Sequence, residues 1–462
     1  MMKKRMFKLL CLTFALSSTA CSPFIFGGTS TQVTDYELFE GCENSIFFAL
    51  YNYYGYEGQH FTNKWLGMND ALADHGITVT GYEQEKDARK FKVTRENTCD
   101  LPEDAVIYMV NNQNWDAGIQ YSKPITKYKP MAIISTCNGV EFASSPILSS
   151  GIGISNATMG GFSKTYRDAF ENGSLNYLDA KYSAHILPIF AACVNAVENG
   201  KAIRNADGSA LSLSIQNWAI QSLTEYDEMS AIDSIDKDHP TMRKINVDKF
   251  FDGTYNTEDG SAAKALTDYV ADSQKDTIKA LYEENGKNKE ADEASWGNKT
   301  GKKIKCGIIA PSSVNDSVQS YIDFIRGYLA DAYGVEVLPN GAVTSSNTQD
   351  QVAKTLCNQG ADFIISLQDD TNRNAAATIC NEKKVYFAIG GSCQNPIDYA
   401  GIKDLEYYVG SIGTSIDEER RAAKEMTEYY LQCMIKRAEG EDALKKYQDS
   451  VKGASKDDKE NA

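Results

Sequence analysis

The feature that most constrains this chain is the regular alternation of strand and helix signals from Lys303 to about Arg437. Ile304-Lys305-Cys306-Gly307-Ile308-Ile309-Ala310 is an apolar run of strand length that stops at Pro311-Ser312-Ser313. Tyr321, Phe324, Ile325, Tyr328 and Leu329 then recur at helical spacing, and Gly334 ends that helix before Val335-Glu336-Val337-Leu338. Three further units follow: a helix around Gln351 to Asn358 with a strand at Asp362 to Leu367, a helix at Asn374 to Glu382 with a strand at Val385 to Ile389, and a strand at Glu406 to Gly410 with a closing helix at Ile416 to Met434. A parallel connection needs a crossover, so repeated βα units of this length predict a parallel sheet with helices on both faces.

Residues from Cys42 to about Ala231 repeat the style less regularly. Strands are expected at Ser45 to Tyr51, Ile77 to Thr80, Ala105 to Val110 and Met131 to Ser135. Trp65, Met68 and Leu72 share a helical face that Gly76 terminates, and a helix from Tyr182 to Asn199 is expected to kink at Pro188. The fold class is therefore α/β, with two Rossmann-like lobes of parallel sheet, 42–231 and 303–437, and a cleft between them. Between the lobes, 232–302 loses strand signals and gains charge, although Ala262 to Tyr282 still reads as an amphipathic helix; this region is expected to be a helical insertion and linker. The charged tail, 438–462, is expected to fray beyond Glu439.

The first residues bound the cell biology. Lys3-Lys4-Arg5 and Lys8 precede the apolar run Leu9 to Leu16, the plan of a secretory signal, and no later segment reaches the roughly 20 apolar residues of a spanning helix. Ser17-Ser18-Thr19-Ala20-Cys21-Ser22 resembles the bacterial lipobox, departing from it at Ser18, and makes Cys21 the expected lipidation site at the end of segment 1–21. Residues 22–41 then suit a flexible tether. The 462 residues carry a net charge of -16 with no Lys/Arg cluster beyond the signal, which argues against nucleic acid as a partner. Of eleven cysteines, Cys11 and Cys21 lie in the signal; the other nine, without a CxxC pair, read as buried free thiols more readily than as a disulfide framework.

The 303–437 stretch resembles the type I periplasmic (solute-)binding proteins that serve sugar-type ABC transporters. Gly307 to Asp316 with Phe324-Ile325-Arg326-Gly327, Gln359-Gly360-Ala361-Asp362 with Gln368-Asp369-Asp370, and Tyr408 to Gly413 are similar to motifs of that family's N-terminal lobe. Gly67-Met68-Asn69-Asp70-Ala71-Leu72 with Gly76 to Val79, and Asp104 to Asn112 with Ala117-Gly118, are similar to motifs of its C-terminal lobe. The lobe order is then reversed, by circular permutation or by divergent duplication. The resemblance, with the signal and lipobox, implies an extracytoplasmic lipoprotein, anchored on the outer face of the cell membrane or facing the periplasm, that captures a small polar solute such as a sugar or nucleoside by hinge closure. Its partners would be that solute and the membrane permease of an ABC transporter, with a monomer expected and no cofactor. A surface sensor for a membrane receptor is the alternative.

Open α/β sheets bind ligands outside the carboxyl ends of their strands. The expected ligand-binding residues are accordingly Tyr54, Asn112, Trp115, Asp116 and Asn138 in front, and Ser312, Asn315, Gln368, Asp370, Arg373 and Asn395 behind. Asn and Gln both donate and accept, carboxylates accept from hydroxyls, and Trp115 offers a flat face. Arg373 suits either a pairing with Asp370 or an anionic ligand group. Catalytic residues are not expected: the four histidines stand in no HExxH, GxSxG is absent, and Gly151-Ile152-Gly153-Ile154-Ser155-Asn156 lacks the third glycine of a dinucleotide loop and reads as a turn. Asp369 and Asp370 lack a third acid at metal-site spacing, so no metal is expected.

Overall fold

The computed structural model describes residues 46–50, 60–80, 92–103, 107–111, 132–135, 152–155, 164–173, 175–180, 183–205, 207–215, 218–233, 303–312, 314, 316–368, 372–394 and 399–451. The signal segment with Cys21, the tether, and 234–302 lie outside them.

From the front of the chain the elements are β1 (Ile46–Leu50), α1 (His60–Asp74), β2 (Ile77–Thr80), β3 (Lys92–Arg95), β4 (Ile107–Asn111), β5 (Ala132–Ser135), β6 (Ile152–Ser155), α2 (Lys164–Glu171), β7 (Leu175–Ala180), α3 (Leu187–Asn199), β8 (Leu211–Ile215), β9 (Trp218–Ile220) and α4 (Leu223–Asp233). There follow β10 (Ile304–Pro311), α5 (Asp316–Phe324), β11 (Val335–Val337), β12 (Gly341–Val343), α6 (Gln349–Asn358), β13 (Phe363–Ser366), α7 (Arg373–Lys383), β14 (Tyr386–Gln394), β15 (Tyr408–Ser415), α8 (Ile416–Glu439) and α9 (Glu441–Val451). A π-helical turn, Ile325–Leu329, continues α5.

The strands build two large sheets. The first runs β1-β4-β5-β6-β7-β9, parallel except for β9 at its edge. The second runs β11-β10-β13-β14-β15-β8, wholly parallel, with β12 beside the end of β10. Its β10, β13 and β14 are buried on both sides, and alternate residues feed different cores: Phe363 and Ile365 join one apolar cluster, Ile364 the other. The larger cluster is continuous through elements of both sheets, from Met68 and Leu72 of α1 through Tyr177 and Phe190 to Ile308, Phe363 and Met426.

The pairing runs across the boundaries expected from the sequence. Segment 187–215 belongs with the second sheet: β8 pairs in parallel with β15, and α3 packs on β13, β14 and β15. Every residue from Leu187 to Ala196 is buried, so α3 suits only an interior position, and Phe190 meets Tyr333 and Phe363 at 5.6 and 5.4 Å between ring centroids. Conversely α8, which follows β15 directly, leaves its own sheet and packs on α1, β5, β6 and β7 of the first.

Smaller corrections have local causes. Pro188 does not kink a helix; it stands in the first turn of α3, where its missing N–H leaves no gap, after a 3₁₀ turn at Ser183–Ile186. Residues 152–155, expected as a turn, form β6 between β5 and β7, because Ile152 and Ile154 alternate with small residues in a strand flanked on both sides. β7, β8 and β9 were not expected at all. β2 is no member of the large sheet and pairs antiparallel with β3. Beyond Glu439, where fraying was expected, Glu441–Val451 is helical and Leu444 buries against the core.

Candidate functional site

In the second sheet the strand order reverses at β10: β11 lies to one side, β13 to the other. Such a reversal splays the following loops apart and opens a crevice at the carboxyl ends of the two central strands. Ser312 follows β10 and Gln368 follows β13, so two of the expected ligand-binding residues lie at this switch point. Ser312 is exposed and its backbone N–H donates to the Val343 carbonyl at 3.0 Å. Gln368 is buried, and its side-chain Oε1 has no hydrogen-bond partner.

A small polar network holds Gln368 in place. The Ser366 hydroxyl donates to Gln349 Oε1 at 2.8 Å, the Gln349 amide donates to the Gln368 carbonyl at 3.4 Å, and the Gln368 N–H donates to Ser366 Oγ at 3.3 Å. Gln349 is delivered by the first turn of α6, which starts where Thr348 and Gln351 cap each other reciprocally; the Thr348 N–H donates to Gln351 Oε1 at 2.9 Å. Arg373, the first residue of α7, is buried and its guanidinium lies 5.1 Å above the Tyr399 ring. The other expected residues, Tyr54, Asn112, Trp115, Asp116, Asn138, Asn315, Asp370 and Asn395, lie outside the described residues.

The carboxyl edge of the first sheet carries a charge cluster that sequence reading missed. Asp179 stands in register with Ser155, the last residue of β6, next to the end of β7. It is 1% exposed, and neither carboxylate oxygen makes a hydrogen bond. Burial pushes its carboxyl up to about 8, against the opposing pull of Arg421 and Lys64 and with the help of Glu425 and Glu418. Arg421 is itself held by Glu418, at 2.6 and 2.5 Å, and by Glu425. Lys64 and Glu419 form a fully buried pair at 3.5 Å.

The two edges are joined through one short stretch. Ser415 ends β15 in the second sheet and is also the N-cap of α8, accepting from the Glu418 N–H at 3.1 Å. Glu418 and Arg421 then act on Asp179 of the first sheet. One residue before the cap, Thr414 is fully buried and its Oγ1 has no partner. Residues 414–421 therefore touch the carboxyl edge of both sheets, and each edge holds buried polar atoms with hydrogen-bonding capacity unused: Gln368 Oε1 and Thr414 Oγ1 on one, the Asp179 carboxylate on the other.

No protein-family model matches the chain, and no curated protein matches it. Among the described residues no group of three or more His, Cys, Asp and Glu is placed to hold a metal ion, and no helix is long and apolar enough to cross a membrane. The groups gathered at the two edges can donate and accept hydrogen bonds and carry charge. Gln349 and Thr414 could have been flagged as polar residues at the ends of apolar strands or at helix starts. Lys64, Asp179 and Glu419 carry no such signal, since single charges within a helix or strand pattern read as solvent-facing.

Proposed function

We propose that the protein is an extracytoplasmic, lipid-anchored solute-binding protein of the type I periplasmic-binding-protein kind, which captures a small polar ligand between two α/β lobes and hands it to an ABC-type permease. The observation that carries this reading is the meeting of both carboxyl edges at 414–421 with buried polar atoms left unpaired on each. A buried amide oxygen, hydroxyl or carboxylate without a partner costs about 1–3 kcal/mol, and a hydroxylated or amine-bearing ligand seated in an inter-lobe cleft would recover that cost. The chain crosses between the sheets four times, after β7, between β8 and β9, between α4 and β10, and at Ser415, and the last of these crossings would serve as a hinge. Closure over the ligand would bring Gln368 and Arg373 to one side of it and the Asp179 cluster to the other.

Thermal denaturation against a panel of sugars, nucleosides and amino acids tests the reading, with each hit recovered and identified afterwards. A ligand should raise the midpoint, shrink the radius of gyration in solution scattering and be recovered unchanged. A flat response across the panel sinks capture, and chemical turnover of a hit replaces it with an enzyme. For the anchor, Cys21→Ser should move the protein from the membrane to the soluble fraction of the producing cell; persistence on the membrane removes the lipidation.

A further inference from the structure

Helices α6 and α7 pack side by side against the second sheet, with β13 between them in sequence. Near their far ends Cys357 and Cys380 face each other, with Sγ to Sγ at 4.0 Å. Cys380 is fully buried in the smaller apolar cluster, whereas Cys357, packed against that cluster, is partly open to solvent. The other described cysteines, Cys99, Cys193, Cys306 and Cys433, are free. We infer that Cys357 and Cys380 are a thiol–disulfide modification site, at which a low-molecular-mass disulfide oxidises the pair to a bond between α6 and α7.

The asymmetry of the pair sets the order of steps. Cys357 is the accessible sulfur, and the hydrogen bond from Cys380, aided by the Lys383 charge, holds its thiol below the ordinary value. That same contact, with burial, pushes Cys380 up. Cys357 as thiolate attacks the incoming disulfide RSSR, forming a mixed disulfide and releasing RS⁻. Cys380 then loses its proton and attacks the Cys357 sulfur, expelling the second RS⁻. The sum is two protein thiols and RSSR giving one protein disulfide and two RSH: two electrons pass from the protein to the oxidant, and the two thiol protons end on the RS⁻ groups. Closing 4.0 Å to the covalent length of about 2.05 Å moves each sulfur by only about 1 Å.

The bond would tie the two helices whose first turns carry Gln349 and Arg373, and it would close the loop that holds β13 and Gln368. The site stands on the α6–α7 geometry and is independent of the ligand reading above.

The full chain, reduced and then equilibrated in glutathione buffers of increasing oxidised fraction, should be acid-quenched, alkylated and digested. The expected result is a disulfide-linked peptide pair containing Cys357 and Cys380, accumulating without a lasting glutathione adduct on Cys357. Cys357→Ser, a change at the partly open position, should leave Cys380 unmodified at every ratio, and Cys380→Ser should trap glutathione on Cys357. Both wild-type cysteines alkylated under the most oxidising buffer, a stable glutathione adduct on wild-type Cys357, or a link from Cys357 to another cysteine would each overturn the assignment.

Discussion

Asp179 ionises near 3.8 when exposed and at about 8 in the folded protein. The folded state therefore holds a proton that the unfolded chain releases between those values, and stability falls as pH rises across that window, with no further loss above it. Asp179→Asn removes the titration. It should come close to the wild type in urea denaturation near pH 4 and exceed it by up to about 5 kcal/mol at pH 8, the linkage equivalent of that shift. If Asp179 also serves a ligand, the same variant should lose the thermal shift, a stabilising change that costs function. His75 has the opposite role. Its ring bonds Asp100 at 2.8 Å and Glu428 at 2.9 and 3.0 Å, and chiefly the Glu428 contact raises its pKa from 6.5 to about 9. The stability it lends is complete below pH 6.5 and lost as pH rises through about 9. His75→Gln should cost about 1–2 kcal/mol at pH 6 and almost nothing at pH 10, as both carboxylates are partly solvated. An equal loss at both pH values would show that packing, not charge, is what His75 contributes.

Helices α1 and α8 run in parallel with ion pairs along their seam: Lys64 to Glu419, Asp70 to Arg420 at 2.5 Å, Asp74 to Lys424 at 2.7 Å, and His75 to Glu428. Gly67 lets them touch, because a Cβ there would sit 2.0 Å from the Arg420 carbonyl oxygen. Gly67→Ala gains helix propensity, yet it should destabilise the protein by about 2–4 kcal/mol in chemical denaturation, since backbone cannot yield as a side-chain tip can. Gly410 plays the matching part between β15 and β8, with φ +147° and the Leu211 carbonyl 2.2 Å from where a Cβ would stand. The elements of the second sheet were legible because Ile304 to Ala310, Asp362 to Leu367 and Val385 to Ile389 are apolar runs bounded by Gly, Pro or polar turns. Leu175–Ala180 and Leu211–Ile215 were not, since Asn176, Asp179, Ser212 and Ser214 break up the apolar runs, and only the assembled sheet shows that Asp179 among them is buried. The switch-point residues Ser312 and Gln368 were reachable from the rule that loops after strands bind; the Asp179 cluster, assembled from α1, β7 and α8, has no local pattern.

The two halves of the molecule are interlocked by exchange: the front gives α3 and β8 to the second sheet, and the rear gives α8 to the first. A fragment spanning 303–451 keeps most of the second sheet's strands but lacks the helix that covers one of its faces and the strand at its edge. It should therefore bind a hydrophobic dye and unfold without a cooperative transition, while coexpression with 42–233 should restore cooperativity. A fragment that melts sharply on its own would mean that α3 and β8 are dispensable. This arrangement was hidden in the sequence because Leu187 to Ala196 fits any buried helix, and periodicity reports burial without reporting against which sheet.

The late position of α8 also has a consequence in time. Ribosomes add about 5–20 residues per second, so the first sheet's strands, complete by Ile220, wait roughly 10–40 s before Ile416–Glu439 is made to cover them. Over that interval the face that will meet α8, where Tyr177 packs on Tyr429, lacks that cover, and the buried helix α3 has no β13 or β14 to rest on. The first sheet can therefore complete its packing only once Ile416–Glu439 has been made, and a nascent chain waiting in this condition is one that holding chaperones can keep extended.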